Sequence, residues 1–235
     1  EKAREILAAA GQDLDELIAQ RQNGSQLTGA LLGMEGAHAL EGNIENLDRL
    51  YRAGYRLMGI THFFDNELGG SLHGMGNHGL TPFGVQAVKR AGQLNMVIDL
   101  AHASPAVVNE VINLTDSPVV LSHTGVHSVC AVKRNIPLPL MQKIAAHGGV
   151  IGIGYWSTAV CDTSVAAIVK AIRYTVDQVG VEHVALGSDF NGTVHTPFDV
   201  TGLAQITEGL QQAGFDDSAI AAIMGGNVQR LLLAS

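Results

Sequence analysis

Apolar residues in this chain gather into short continuous runs, and five of these runs lead to a residue that can bind a metal or move a proton. Residues 31–34 lead to Glu35, 57–61 to His62, 96–101 to His102, 119–122 to His123 and 184–188 to Asp189. A sixth run, 150–156, ends on Tyr155 and Trp156. Runs this short and this continuously apolar read as strands buried on both faces, the pattern of a parallel sheet.

Segments with helical periodicity separate the runs, at 44–53, 83–94, 104–114, 139–147, 164–179 and 200–213, and a last helix over 217–233 closes the chain. Strand followed by helix, repeated without a hairpin signal, predicts a parallel sheet with helices outside. Functional side chains at the C-terminal ends of such strands are how a (β/α)8 barrel of the TIM type builds a site. The opening residues read as helical: Leu7, Ala8 and Ala10 run to a stop at Gly11, and Asp13 caps a second helix carrying Leu14, Leu17 and Ile18. A closed barrel needs eight strands and only six are clear, so the first two are expected to be missing from this chain; a six-stranded open sheet is the alternative. The segment 69–84, with six glycines and two histidines, is expected as a long loop over the barrel mouth.

Composition narrows the function. With 235 residues, 46% hydrophobic and 15% charged, the chain suits one well-cored domain spanning 1–235. A net charge of −8 and the lack of a basic cluster argue against nucleic acid and leave a small molecule as the expected substrate. No stretch approaches the roughly 18 apolar residues of a membrane span, and the start lacks the pattern of a signal peptide. The first residue is Glu1, so an upstream piece or signal removed by processing is compatible with the sequence, and the compartment stays open between cytoplasmic and exported. Cys130 and Cys161 are too few for a disulfide scaffold and fit a single staple or two buried thiols.

Candidate chemistry follows from placement. A carboxylate at a buried strand end, as for Glu35, needs an arginine or a metal to offset its desolvation. His102 and His123 end successive runs 21 residues apart, a spacing that one strand, helix, strand unit covers, and neighbouring strands about 4.8 Å apart allow both imidazoles to reach one ion. His62 is a third ligand or an electrophile for a developing oxyanion. Asp189 is placed for proton transfer or merely starts the turn at Asn191-Gly192. The glycines of 148–154 fall inside a strand pattern and not at a strand-to-helix turn, which disfavours a phosphate loop. His38, His73, His78, His127, His147, His183 and His195 lack comparable placement and are expected mostly in loops or at the surface.

At these residues the chain resembles the membrane dipeptidase (renal dipeptidase) family of zinc peptidases. The resemblance is carried by Gly33-Met34-Glu35-Gly36-Ala37-His38, Thr61-His62, Ile98-Asp99-Leu100-Ala101-His102-Ala103-Ser104, Ser122-His123-Thr124, Lys133-Arg134-Asn135 and Gly187-Ser188-Asp189-Phe190-Asn191-Gly192. Leu80-Thr81-Pro82-Phe83-Gly84 and Gly226-Asn227-Val228-Gln229-Arg230 extend it toward the C-terminus. It implies a (β/α)8 barrel holding two zinc ions, with Glu35 bridging them and His102 and His123 binding the second. In such sites a water or hydroxide between the metals attacks the peptide carbonyl of a small dipeptide. His62 would steady the oxyanion, Asp189 would carry the proton to the leaving amine, and Arg134 would hold the substrate carboxylate. Cys130 and Cys161 match positions that pair as a disulfide in some relatives.

The family's first ion also needs a His-x-Asp motif on the first strand, and no His-x-Asp occurs in this sequence. The expectation is therefore a zinc-dependent dipeptidase whose second metal site is incomplete in this chain. The alternatives are another amidohydrolase-type amidase or lactonase, and a non-catalytic single-metal remnant acting as a binding module. Open sheet edges would also favour a homo-oligomer.

Overall fold

A computed structural model of the chain describes residues 4–6, 10–117 and 119–234. Contacts divide it into two compact units, Glu1–Val119 with Gln229–Ser235, and Val120–Val228.

In the first unit, β1 (Arg4–Ile6), α1 (Ala10–Gln22) and β2 (Thr28–Ala30) come first, and β1 pairs with β2 in parallel. This corrects the sequence reading. The opening is a strand and one helix instead of two helices, Gly11 lies inside the helix instead of stopping it, and Asp13 sits in its first turn. Leu7 and Ala8 lie outside the described residues. Helical propensity is a local signal, whereas β1 exists through pairing with residues more than twenty positions away.

Next come β3 (Leu32–Met34), α2 (Glu45–Arg52), β4 (Tyr55–Gly59), α3 (Pro82–Gln93), β5 (Val97–Asp99) and α4 (Pro105–Leu114). Strands β3, β4 and β5 lie side by side in chain order and pair in parallel. All three residues of β5 are buried, as a continuous apolar run requires. The helices start where the sequence provides caps. Thr81 Oγ1 accepts the Gly84 amide at 3.0 Å ahead of Pro82, and Ser104 Oγ accepts the Val107 amide at 3.1 Å ahead of Pro105. Buried Leu47, Met58, Ile60, Ile98, Leu100, Val107 and Val111 form the core.

The second unit continues the alternation with β6 (Val119–Thr124), α5 (Leu138–Ala146), β7 (Val150–Ile153), α6 (Ser157–Val160), α7 (Val165–Val179), β8 (Val184–Leu186), α8 (Ala204–Gln212), α9 (Asp217–Ala221) and α10 (Asn227–Leu233). Strands β6, β7 and β8 are again parallel neighbours in chain order. Gly152 lies within β7, as its strand pattern predicts, and a Cβ there would overlap the Ser122 carbonyl of β6. Cys130 and Cys161 form a disulfide with Cα atoms 5.3 Å apart, and no described cysteine is free. The helix expected over 217–233 is instead interrupted over Ala222–Gly226, where Gly225 has non-helical backbone. Asn227, just past the break, donates its amide to the Val181 and Val184 carbonyls at 2.7 and 2.8 Å at the start of β8. Among the described residues no helix is long and apolar enough to cross a membrane.

Candidate metal and active site

Every residue singled out by the strand pattern is at or near a strand end. In the first unit, Glu35 directly follows β3, while His62 and His102 each lie three residues beyond β4 and β5. The Glu35 carboxylate faces two imidazoles: Oε1 is 3.1 Å from His102 Nε2, and Oε2 is 3.7 Å from His62 Nε2. The two imidazole rings meet edge-on at 4.7 Å. His102 is buried, whereas the Glu35 side chain is 44% exposed, so the carboxylate opens to solvent while its partner is fixed. His102 is also held through an uncommon backbone, with φ +62°. Its carbonyl accepts from Leu72 N at 2.7 Å and Thr61 Oγ1 at 3.1 Å, hydrogen bonds that hold a conformation non-glycine residues rarely adopt.

The glycine-rich loop after β4 is an ordered part of this region. Asp65 accepts the Ser71 amide at 2.7 Å and the Gly76 amide at 3.0 Å, and these N–H groups hold its carboxyl below the usual carboxylate value. Ser71 Oγ donates to the His62 carbonyl at 2.5 Å, and Ser104 Oγ donates to the His78 carbonyl at 2.7 Å. The braced loop sets two rings beside His102, Phe63 at 5.5 Å and His73 at 5.3 Å. His73 does lie in a loop and is exposed, as expected from sequence, yet its ring packs on a proposed metal ligand.

In the second unit, His123 lies within β6 and Asp189 three residues beyond β8. The Ser122 hydroxyl lies 2.8 Å from His123 Nδ1. With Nδ1–H donating to that oxygen, the ring presents the Nε2 lone pair, the state in which a histidine ligates metal. Asp189 Oδ2 is 3.9 Å from His123 Nε2, and the Asp189 backbone also has a positive φ, +52°. A Cβ on Gly192 would overlap the Asp189 carboxylate, which explains a glycine there. Arg134 donates through Nη2 to the His123 carbonyl at 2.8 Å and through Nη1 to Thr124 Oγ1 at 3.3 Å, with its guanidinium 5.9 Å from the Trp156 ring. Asn135, buried beside it, donates to the Cys130 and Ala159 carbonyls at 2.8 and 3.0 Å. Burial pushes the neighbouring Tyr155 phenol up, so it remains protonated at neutral pH.

The residues suit a metal by their chemistry. A carboxylate oxygen with imidazole nitrogens is a donor set for a borderline divalent cation such as zinc, and Glu35 and His102 in the first unit and His123 in the second supply donors of these types. Sequence reasoning missed Ser122, Asp65, Phe63 and His73. Ser122 was visible as a polar residue breaking an apolar run directly before His123; the other three are brought in by loop folding, which leaves no periodic signal.

Residues 4–234 match the pattern of the family described as Membrane dipeptidase (Peptidase family M19). This chain belongs to that family. It is 32% identical to dipeptidase aclJ of Aspergillus oryzae over 86% of this chain and 50% of that protein, and 30% identical to dipeptidase verJ of Clonostachys rogersoniana over 86% and 54%. The chain thus spans about half the length of these curated relatives. Among solved structures it is similar to the probable dipeptidase PvdM from Pseudomonas aeruginosa, with TM-score 0.89 and 22% identity over 99% of this chain and 74% of that one. It is also similar to the crystal structure of dipeptidase AC, with TM-score 0.85 and 24% identity over 99% and 71%. At those identities the likeness establishes the fold, α/β of the (β/α)8 barrel type.

Proposed function

We propose that this chain carries the catalytic residues of a zinc-dependent dipeptidase acting on small dipeptides, with Glu35, His102 and His123 as metal ligands. The observation that carries this reading is the Glu35 carboxylate set 3.1 Å from His102 Nε2, from beyond the ends of β3 and β5 on either side of β4, in a chain of the membrane dipeptidase family. A bound divalent cation supplies Lewis-acid activation of water and of the scissile carbonyl. The protein groups do the rest. His62, partly exposed beside Glu35, donates to the oxygen of the tetrahedral oxyanion. Asp189 takes the proton from the attacking water and returns it to the leaving amine, which departs neutral. Arg134, anchored by the His123 carbonyl, receives the substrate's terminal carboxylate; a guanidinium does this better than an ammonium because it pairs in two places. A second ion, whose site is incomplete in a sequence with no His-x-Asp motif, and a homo-oligomeric assembly belong to the same proposal.

The test is hydrolysis of simple dipeptides by the purified chain with zinc added or chelated, beside an Arg134→Ala variant. Zinc-dependent turnover that Arg134→Ala weakens mainly through KM supports the dipeptidase reading. Turnover indifferent to Arg134 points to an amidase or lactonase with no carboxylate to hold. Two zinc equivalents with hydrolysis sink the remnant reading; one or none without hydrolysis sinks the competence of this chain alone. Light scattering that returns a clean monomer contradicts the oligomer.

A further inference from the structure

Phe63 has no part in the chemistry proposed above, yet its placement is specific. It is the residue after His62, and its ring lies 4.3 Å from the His62 ring, 5.5 Å from His102 and 5.1 Å from His73. It remains 49% exposed, so about half of a phenyl ring faces solvent beside the groups assigned to the reaction. Aromatic surface left wet in this way forgoes the roughly 25 cal/mol per Å² that burial would return, and the core of this unit closes without it. The segment carrying the ring is pinned on both sides. Ser71 Oγ donates to the His62 carbonyl at 2.5 Å, and Asp65, two residues after Phe63, holds the Ser71 and Gly76 amides. A pinned, half-exposed ring with three imidazoles packed against it at tilted and edge-on angles is a ready wall for an apolar group arriving from solvent.

We infer that Phe63, backed by His73, is a specificity-determining wall for the side chain of the substrate's N-terminal residue, favouring apolar and aromatic side chains there. This rests on the dipeptidase reading. If His62 meets the oxyanion, the carbonyl carbon is bonded directly to the Cα of the N-terminal residue, and a ring packed at a tilt against His62, 4.3 Å away, lies within one side-chain length of that Cα. The C-terminal residue's Cα is a further bond away, across the scissile nitrogen.

The experiment compares kcat/KM for Phe-Ala, Ala-Ala and Ala-Phe in the full chain and in Phe63→Ala, with Phe64→Ala as control because that ring is 82% exposed. Circular dichroism melts check that both variants fold. The expected result is a roughly tenfold fall in the Phe-Ala to Ala-Ala ratio in Phe63→Ala, the scale of one apolar contact in a specificity pocket. The Ala-Phe to Ala-Ala ratio holds in Phe63→Ala, and both ratios hold in Phe64→Ala. An unchanged Phe-Ala ratio, or a shift confined to Ala-Phe, overturns the assignment. If no dipeptide is turned over, the hydrolase reading has failed, and the wall is then judged by calorimetric affinity for phosphinate mimics of Phe-Ala and Ala-Ala. A preference for the Phe mimic that Phe63→Ala removes sustains it, and equal affinities in both proteins overturn it.

Discussion

The two regions that carry the candidate chemistry are built in different ways. In the first unit, Glu35 is 44% exposed and His62 35% exposed, and their neighbours are rings and a loop held by side-chain hydrogen bonds. In the second, His123 and Asp189 are far less exposed, at 9% and 15%, with a hydroxyl on His123 Nδ1 and a guanidinium on the His123 carbonyl, in a unit that also carries the disulfide. The contrast is one of access. Half-open Glu35 and His62 can be reached from solvent, whereas groups that are buried and braced, His123 and Asp189 here and His102 in the first unit, hold a fixed geometry.

Substitutions that act on one region and spare the other sharpen this division. Asp189→Asn keeps shape but cannot accept a proton, so kcat should fall by about 10²–10⁴-fold while zinc affinity and melting temperature stay near wild type, read by steady-state kinetics and calorimetry. Replacing Cys130 and Cys161 together by Ala opens a loop with sequence separation 31 and should lower stability by about 3 kcal/mol in urea unfolding. Ser122→Ala removes the oxygen that fixes the His123 tautomer and should weaken metal affinity by about 10–100-fold with little change in stability. The smallest effect is expected from Asp65→Asn. Amide hydrogen bonds lower the folded-state pKa of Asp65, so its contribution is present above the ordinary carboxylate pKa and is lost as pH falls through the lowered value. Asn cannot titrate, so the variant should be less stable near neutrality and show a shallower loss of stability below about pH 4, measured by thermal melts across acid pH.

The six apolar runs became β3 to β8 because a strand buried on both faces leaves an unmistakable local trace. Thr81, Ser104 and Ser164 capped helices within a residue of their expected starts, since a cap is also a local event. What escaped was non-local. Strand β1 depends on its partner β2, and the packing of Phe63 and His73 on His102 depends on a loop folded by Asp65 and Ser71. The break at Gly225 lay inside a helical pattern that a single glycine does not cancel. The candidate site was legible where its residues end strands, and illegible where the supporting groups come from loops.

The proposal that Glu35, His102 and His123 hold a metal ion is open to zinc titration by calorimetry on the purified full chain, beside Glu35→Gln, His102→Ala and His123→Ala. The expected result is at least one zinc equivalent per chain, with each variant folded by circular dichroism and each losing affinity by more than the about 10–100-fold typical of losing a group that only hydrogen-bonds a ligand. A folded wild-type chain that binds no zinc, or variants that bind as tightly as wild type, would contradict it.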